Sequence, residues 1–274
     1  MRKKDFDRLP EKKRANYIRD YYDQKKGQDI YATSPDINLR ELEIDFIMSH
    51  VKGPRILDLG CGNGYTLLRL AEKIKGELIG VDFSSKMIQG ANLLSKKIKN
   101  KLKCSPQFFE GDATNFIPPG QGKINTIITE RFLLNLPTQK IQYEVIKNIY
   151  HHLAPKGYYL MIEGSQDGLR KLNNLRKLAG LDPISDRGKV NLSSRKFNDL
   201  YLENFLKKYF EIIQIKTFDL YYLISRIAYP KIIYPKEPQY DHPINQIARD
   251  LNNRLDFPSR GIGHVRGYLL RKKS

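Results

Sequence analysis

The 274-residue chain has no tryptophan and only two cysteines, Cys61 and Cys104. Two cysteines exclude a disulfide framework and a zinc site built from cysteines. The sequence also lacks an apolar run near the roughly 20 residues that cross a bilayer. Its charged N-terminus, MRKKDFDRLPEKKR, lacks the apolar core of a secretory signal. These absences predict a cytoplasmic protein without a membrane span.

Acidic residues are scarce relative to basic ones: 30 Asp and Glu against 48 Lys and Arg leave a net charge of +18. This balance excludes an acidic solvating tail and makes a polyanionic partner worth testing. Between positions 84 and 104 the charged residues are all lysines, namely Lys86, Lys96, Lys97, Lys99, Lys101 and Lys103. No zinc-finger or RNA-binding signature accompanies them. A solvated basic surface is therefore the favoured interpretation, and nucleic acid stays an alternative partner.

Short apolar runs alternate with amphipathic segments along most of the chain. Strands are predicted at 55–59, 78–81, 107–110, 124–129, 158–163, 210–218 and 264–270. Helices are predicted at 6–26, from Asn38 to about 51, and at 65–75, 84–99, 138–153, 169–178, 196–209 and 243–254. Apolar runs of this length between helices indicate an α/β fold with a mostly parallel sheet covered on both faces.

One elaborated domain is favoured over two, because no repeat and no clear linker divides the chain. We predict an N-terminal helical lid at 1–50 and a main domain at 51–274. Two insertions of the main domain, at about 165–195 and 220–263, are expected to lie on the substrate side. Within the lid, Asn38 and Glu41 have the spacing of a capping box at the start of a helix.

A glycine-rich turn follows the first predicted strand. The strand brings Asp58 to its carboxyl end, and the chain then turns through Gly60, Gly62 and Gly64 into a helix. Glycines let the backbone adopt positive φ and approach a ligand closely. Tyr65 stands where a dinucleotide-binding motif has its third glycine, and a carboxylate in the turn would repel a pyrophosphate. The turn therefore suits a ligand that carries an ammonium group.

Two further acids follow the next two predicted strands. Asp82 ends the second strand, where a carboxylate accepts hydrogen bonds from ribose hydroxyls, and Phe83 beside it can lie against a purine. Asp112 follows the third strand. Each acid alone is more often an ordinary loop residue. Three acids at the ends of consecutive parallel strands, around a glycine turn, indicate a ligand crevice.

Four segments together resemble the class I S-adenosylmethionine-dependent methyltransferases: LDLGCGNG at 57–64, GVDFSSKMI at 80–88, EGDAT at 110–114 and LAPKGYYLMIEG at 153–164. The resemblance covers roughly residues 50–165. It implies a Rossmann-like three-layer sandwich with a seven-stranded sheet, whose last strand is antiparallel, and S-adenosylmethionine as the cofactor. A non-catalytic protein that binds this cofactor as a partner is an alternative.

The resemblance also assigns the cofactor-binding residues. The methionine part would lie against Asp58, Gly60, Cys61 and Gly62. The ribose would be held by Asp82. The adenine would be contacted by Phe83, Met87, Asp112 and Ala113. No metal is implied.

The acceptor is harder to predict. Glu130 and Arg131 follow the fourth strand, and Glu163 ends the fifth, at the edge where the methyl group would be presented. We expect Glu130 to lie near the cofactor and either Glu130 or Glu163 to act as a base. Arg131, Tyr222 and His264 are candidate substrate contacts.

Basic residues at 165–195 would suit an anionic acceptor; they are Arg170, Lys171, Arg176, Lys177 and Arg187. The segment TERFLLNLP at 129–137 differs from the motif of amino-group DNA methyltransferases. This segment and MIEGSQDGL at 161–169 resemble methyltransferases that modify small molecules or glycans. The resemblance implies O-methylation of an anionic or sugar-like small molecule. An RNA methyltransferase is the alternative.

Overall fold

The computed structural model describes residues 3–120, 122–186 and 193–273, and its centre is a seven-stranded sheet. The strands are β1 Arg55–Leu59, β2 Glu77–Asp82, β3 Gln107–Glu110, β4 Ile124–Glu130, β5 Leu153–Gly164, β6 Phe210–Lys216 and β7 Val265–Lys272. Their order across the sheet is β3-β2-β1-β4-β5-β7-β6. Only β7 runs antiparallel to its neighbours. The predicted α/β fold, with its antiparallel last strand, is confirmed.

Eleven α-helices surround this sheet in the part of the chain that the structure describes. They are α1 Lys3–Arg8, α2 Glu11–Asp23, α3 Ile37–His50, α4 Tyr65–Ala71, α5 Ser85–Lys97, α6 Gln139–His152, α7 Gln166–Leu178, α8 Asp199–Leu206, α9 Asp219–Leu223, α10 Tyr229–Ile233 and α11 Pro243–Arg254. A π-helical turn, Ile224–Ala228, joins α9 to α10. A 3-10 turn, Leu133–Asn135, follows β4.

The central strands are buried on both faces, which explains their continuous apolar runs. All five residues of β1 are buried. Leu57 and Leu59 belong to the hydrophobic cluster on one face of the sheet, whereas Ile56 belongs to the cluster on the other face. Side chains alternate between faces along a strand, so both faces must be apolar when helices cover both.

Two details of the N-terminal region differ from the prediction. The predicted helix 6–26 is divided into α1 and α2 before Pro10, since proline has no backbone N–H and favours the start of a helix. The predicted N-cap at Asn38 is wrong. Asp36 caps α3, because its side chain accepts a hydrogen bond from the Leu39 backbone N–H, and Asn38 lies inside the helix.

Helix α3 packs into the core as the sequence predicted. Its apolar side chains Leu39, Leu42, Phe46 and Ile47 belong to the hydrophobic cluster on one face of the sheet. It therefore lies against the main domain along its length, and a lid function of residues 1–50 stays a prediction.

The C-terminal elaboration contains α9, the π-helical turn, α10 and α11, of which only α11 was predicted. The tyrosines at 221 and 222 are fully buried, whereas Tyr234 and Tyr240 are exposed.

Helix α8 is shorter than the predicted 196–209 because Asn198 caps its start. Among the described residues, no helix is both long and apolar enough to cross a membrane.

Candidate functional site

The carboxyl ends of β1, β2 and β4 open onto a crevice. The three strands are adjacent and parallel, so Asp58, Asp82 and Glu130 come to the same edge of the sheet. Two cavities lie there. The inner cavity, of about 170 Å³, is bounded by the glycine turn, the end of β4 and Arg40. The outer cavity, of about 420 Å³, continues between α2 and α6. Phe83, Phe132 and Asn135 line both cavities.

The glycine turn forms the floor of the inner cavity. Gly60 and Gly62 have φ values of 74° and 54°, which L side chains rarely adopt. A Cβ atom on Gly60 would lie 2.4 Å from the Phe132 ring, and one on Gly62 would lie 2.8 Å from Thr33. Cys61 lies between them and is a free thiol, buried in the cavity wall. Both glycines are therefore required by backbone conformation and by close packing.

Asp82 ties the glycine turn to the end of β2. Its Oδ2 accepts a hydrogen bond from the Gly62 backbone N–H at 2.9 Å, and its Oδ1 accepts one from the Ser84 N–H at 2.9 Å. Burial raises the pKa of this carboxyl to about 6, although the two N–H donors favour the ionised form. Lone pairs not used by these donors face the inner cavity, where ribose hydroxyls can donate to them.

Asp58 carries an unsatisfied buried oxygen beside the same cavity. The residue is 2% exposed, and its Oδ1 has no hydrogen-bond partner among the described residues. Burial raises its pKa well above the usual value, and the negative charge of Glu130 adds to the effect. A buried acceptor without a donor is costly. A cationic ligand group that donates hydrogen bonds removes this cost, so the site fits an ammonium group.

Two arginines and two glutamates form a buried charged network beside Asp58. The Glu130 Oε2 accepts from the Thr66 hydroxyl, and its Oε1 lies 3.6 Å from the Arg40 Nε. Arg131 Nη2 lies 2.8 Å from Glu43 Oε2 and 3.9 Å from Glu130 Oε1. Burial raises the pKa of Glu43 to about 8, while the positive charge of Arg131 opposes the shift.

Arg40 and Glu43 were missed by the sequence analysis. Both lie on α3, and both are almost fully buried. The available signal was their spacing, since residues three apart share a helix face, and this face also carries the apolar core residues of α3. Arg40 lines the inner cavity, and its guanidinium carbon lies 4.5 Å from the centre of the Tyr65 ring.

Arg131 occupies a strained position at the end of β4. Its φ is 54°, which is uncommon for a residue with a side chain. Its Nη1 donates to the Ser34 hydroxyl at 3.0 Å, and its side chain lines the inner cavity. Backbone strain of this kind is typical of ligand-binding sites.

The outer cavity holds the remaining predicted cofactor contacts except Met87. Phe83, Asp112 and Ala113 line its inner end. Asp112 Oδ1 accepts hydrogen bonds from the Thr114 backbone N–H and hydroxyl, at 2.9 and 2.7 Å. Helix α2 forms the opposite wall, with Lys12 and Arg19 among its lining residues.

The structure does not bring four predicted site residues to either cavity. Met87 is buried in the packing of α5. Tyr222 is also buried, and its ring meets His264 edge-to-face at 5.2 Å. Burial lowers the pKa of His264 well below its usual value. None of these three lines the crevice.

Glu163 is the fourth of these residues. It holds a loop in place and does not line the crevice, where a general base would be expected. Its two carboxylate oxygens accept hydrogen bonds from the backbone N–H groups of Phe132, Leu133 and Leu134, at 2.8 to 3.1 Å. These donors begin the 3-10 turn after β4, so Glu163 fixes the loop that walls both cavities. Burial raises its pKa to about 8, although the three donors favour ionisation.

The predicted basic cluster does not face the crevice either. Arg170 pairs with Asp167, and Lys171 and Arg176 donate to backbone carbonyls around α7. Neither these residues nor Lys177 lines either cavity. Arg187 lies outside the described residues. Within the described ranges, no group of three or more His, Cys, Asp or Glu side chains could hold a metal ion.

Similar structures share this fold at low sequence identity. A magnesium protoporphyrin IX methyltransferase from Synechocystis, solved with bound S-adenosylhomocysteine, has a TM-score of 0.59 at 14% identity and covers 94% of this chain and 100% of its own. A putative methyltransferase solved with the Haloferax volcanii Trm112 activator has a TM-score of 0.57 at 13% identity, with 93% and 96% covered. No curated protein matches the sequence.

A further similar structure shows that this fold alone does not identify a reaction or an acceptor. The [4+2]-cyclase SpnF has a TM-score of 0.54 at 17% identity, with 84% of this chain and 79% of its own covered. Unrelated chemistry can occupy one fold, so activity must be argued from the site and the family.

The sequence itself matches a family profile described as a methyltransferase domain, over residues 50–224. This match covers more than half of the chain and includes β1 to β6, with the whole crevice edge of the sheet. The cofactor of this family is S-adenosylmethionine. The unsatisfied carboxylate oxygen of Asp58 and the closely packed glycine turn can accommodate it. The chain belongs to the methyltransferase-domain family and is an S-adenosylmethionine-dependent methyltransferase.

Proposed function

We propose that the protein methylates an oxygen of a small, anionic or sugar-like molecule, which binds in the part of the outer cavity lined by Phe132 and Asn135, while adenine occupies the end lined by Phe83, Asp112 and Ala113. The main support for this position of the acceptor is the wall that the two cavities share. Phe83, Phe132 and Asn135 line both, so a ligand in the outer cavity lies beside the cofactor crevice. The two cavities, of about 170 and 420 Å³, together fall within the range of about 300–1,000 Å³ that is typical of small-ligand pockets.

Five side chains are proposed to hold the cofactor. Asp58 and Glu130 would hold the ammonium group, because both carboxylates face the inner cavity. Arg40 would hold the methionine carboxylate: its Nη2 has no hydrogen-bond partner among the described residues, whereas its Nε and Nη1 contact Glu130 and a backbone carbonyl. Asp82 would hold the ribose, and Phe83 would lie against the adenine.

The chemistry of the outer cavity supports a small polar acceptor. Lys12 and Arg19 offer positive charge to an anionic group on the α2 wall, although Glu11, Asp112 and Glu144 also line the cavity. The amides of Asn16 and Asn148 offer hydrogen bonds to hydroxyls. Apolar side chains such as Ile141 cover the remaining wall. A cleft of a few polar groups on an apolar surface is typical of a small-molecule site.

Methyl transfer needs alignment and the exclusion of water more than covalent help. The bound cofactor supplies a methyl group already activated by the sulfonium. A hydroxyl acceptor must lose its proton as its oxygen bonds to the methyl carbon and the methyl–sulfur bond breaks, leaving S-adenosylhomocysteine. Glu130 is the proposed base for that proton. Its support is its position at the end of β4, in the wall of the crevice.

The position of the lysine-rich segment favours a small molecule over RNA. Lys96 and Lys97 lie at the last turn of α5, and Lys99, Lys101 and Lys103 follow before β3 begins. Helix α5 starts beside the crevice, just after β2, and returns the chain to the opposite edge of the sheet. These exposed lysines therefore lie far from the crevice and do not serve it.

The direct test uses S-adenosylmethionine labelled in its methyl group. The protein is incubated with it and with cell extract divided by ultrafiltration into small molecules and macromolecules. We expect label to enter an acceptor in the small-molecule fraction, and mass spectrometry then identifies the methylated atom. Label that appears only in the macromolecular fraction and is released by ribonuclease would establish the RNA alternative.

A second test addresses the base. Glu130→Gln should lower kcat by about 100-fold or more, because general-base catalysis contributes roughly 10²–10⁴-fold. Glu110→Gln, an exposed residue at the end of β3, is the matched control. A variant that keeps its kcat would show that Glu130 is not the base. Affinity for 5′-methylthioadenosine, which has no ammonium group for Glu130 to hold, reports whether the crevice is intact.

A further inference from the structure

A buried carboxylate, Asp36, joins the start of α3 to the C-terminal insertion. We propose that Tyr221 and Arg226 of the insertion are positioning residues for the cofactor: they act through Asp36 on the orientation of Arg40. This inference rests on the proposed contact between Arg40 and the methionine carboxylate. It assigns residues 220–263 a task in cofactor binding in addition to any role toward the acceptor.

The contacts of Asp36 use both of its oxygens. Its Oδ1 accepts hydrogen bonds from the Leu39 N–H at 3.1 Å and from the Tyr221 hydroxyl at 2.6 Å. Its Oδ2 accepts from the Arg226 Nη2. Asp36, Tyr221 and Arg226 are all buried. The first contact caps α3, and the other two fix the cap from the far end of the sequence, up to 190 residues away.

The cap controls the turn of α3 that carries Arg40. The Arg40 backbone N–H donates to the Asp36 carbonyl at 3.2 Å, so Arg40 belongs to the first turn after the cap. Its Nη1 donates to the Ile30 carbonyl at 3.2 Å. The other cavity arginine is tied to the same segment, because Arg131 donates to Ser34, whose hydroxyl donates to the Asp36 carbonyl at 3.4 Å. A shift of Asp36 would displace both guanidinium groups.

The insertion holds its side of the contact firmly. Arg226 lies in the π-helical turn, and its carbonyl accepts from the Arg176 side chain. Its guanidinium carbon lies 4.9 Å from the centre of the Tyr240 ring. The Tyr221 N–H donates to Asn252 Oδ1 of α11 at 3.3 Å. The elements of the insertion on both sides of α10 therefore support the two residues that reach Asp36.

Helix capping alone does not account for this arrangement. A cap needs only a short polar side chain that accepts a backbone N–H. Burying an arginine against that side chain carries a large desolvation cost and is a poor way to gain stability. π-helical turns are also frequent at functional sites. The buried pair is better explained by the need to hold α3, and with it Arg40, in one position.

The test compares two ligands that differ only at the amino-acid end. S-adenosylhomocysteine contains the methionine-derived carboxylate, whereas 5′-methylthioadenosine lacks it. Isothermal titration of the full chain, below the melting temperature of each variant, measures both affinities. We expect Arg226→Met to weaken S-adenosylhomocysteine about tenfold, the value of one modest charged hydrogen bond, and to leave 5′-methylthioadenosine unchanged. Arg226→Lys should recover part of the loss.

Three further variants sharpen the comparison. Arg254→Met replaces an exposed arginine of the same insertion and should change neither affinity. Arg40→Met should reproduce the selective loss, and the double variant Arg40→Met/Arg226→Met should lose no more than Arg40→Met alone, because the two act in series. Tyr221→Phe removes only the hydroxyl bond to Asp36 and keeps the test available if Arg226→Met does not fold.

The outcomes separate the possibilities. Equal weakening of both ligands by Arg226→Met would overturn the proposal and leave a structural role only. No change in either ligand would also overturn it, as would additive losses in the double variant. Failure of the proposed function has a different signature, since the wild-type chain would then bind neither ligand or transfer no label to small molecules.

Discussion

Replacing Asp82 by asparagine keeps the shape of the side chain and removes its charge. The carboxylate accepts one backbone N–H on each oxygen, from Gly62 and Ser84, and its remaining lone pairs face the crevice. An amide has only one accepting oxygen, so it cannot satisfy both N–H groups and a ribose hydroxyl. A hydrogen bond to a charged acceptor contributes about 1.5–3 kcal/mol. Affinity for S-adenosylmethionine should therefore fall by about 10- to 100-fold.

The effect on stability should be smaller than the effect on affinity. Two terms oppose each other in the folded protein without ligand. The amide loses a charged hydrogen bond to one N–H group, but it also escapes the desolvation that raises the pKa of Asp82 to about 6. The free energy of unfolding should therefore change by no more than about 1–2 kcal/mol. In the complex, the lost hydrogen bond to the backbone N–H and the lost hydrogen bond from the ribose hydroxyl both weaken binding.

Calorimetric titration with S-adenosylhomocysteine and 5′-methylthioadenosine measures the effect. Both ligands contain the ribose, so Asp82→Asn should weaken them equally, in contrast to the selective loss expected for Arg40→Met. Glu110→Gln, which removes an exposed carboxylate at the end of the adjacent strand, is the control and should leave both affinities unchanged. Affinities of Asp82→Asn within twofold of the wild type, in a folded protein, would refute the assignment of the ribose to Asp82.

Three other predictions use the same crevice. Glu163→Gln should lower the free energy of unfolding by about 1–3 kcal/mol, since the 3-10 turn loses a charged acceptor; urea unfolding checks this, and loss of catalysis at unchanged stability would contradict it. Gly62→Ala should abolish cofactor binding in titration, because its φ of 54° is strained for alanine and its Cβ would lie 2.8 Å from Thr33. Binding at wild-type affinity would show that the glycine turn does not contact the cofactor. The preference for S-adenosylmethionine over S-adenosylhomocysteine should rise with pH through the pKa of Asp82, about 6, because the ionised carboxylate in the cavity wall attracts the sulfonium and the protonated one does not. A preference that is independent of pH would show that Asp82 does not sense the sulfonium.

The sheet and the glycine turn were predictable because their determinants are local. Buried parallel strands need continuous apolar runs, and each of the first four strands was found within one residue of its predicted bounds, whereas β5 begins five residues earlier than predicted. Asp58, Asp82 and Glu130 were brought together as expected, because parallel strands end at one edge of the sheet. Met87, Glu163, Tyr222 and His264 were not brought to the cavities. Their positions along the chain suggested the correct edge, but the direction of a side chain depends on packing.

The sequence by itself therefore determined the fold class, through its alternating strand and helix patterns, and the acids around the glycine turn, through their positions after consecutive strands. The cofactor followed from the resemblance of four spaced segments to the class I methyltransferases. Only the tertiary structure decided which charges share the crevice. Arg40 and Glu43 look like ordinary surface residues of a helix until α3 is packed against the sheet. Asp36 contacts Tyr221 and Arg226 only when α3 packs against the C-terminal insertion, 185 to 190 residues away in the sequence. Contacts between such distant residues follow from the packing of whole elements, which no local pattern encodes.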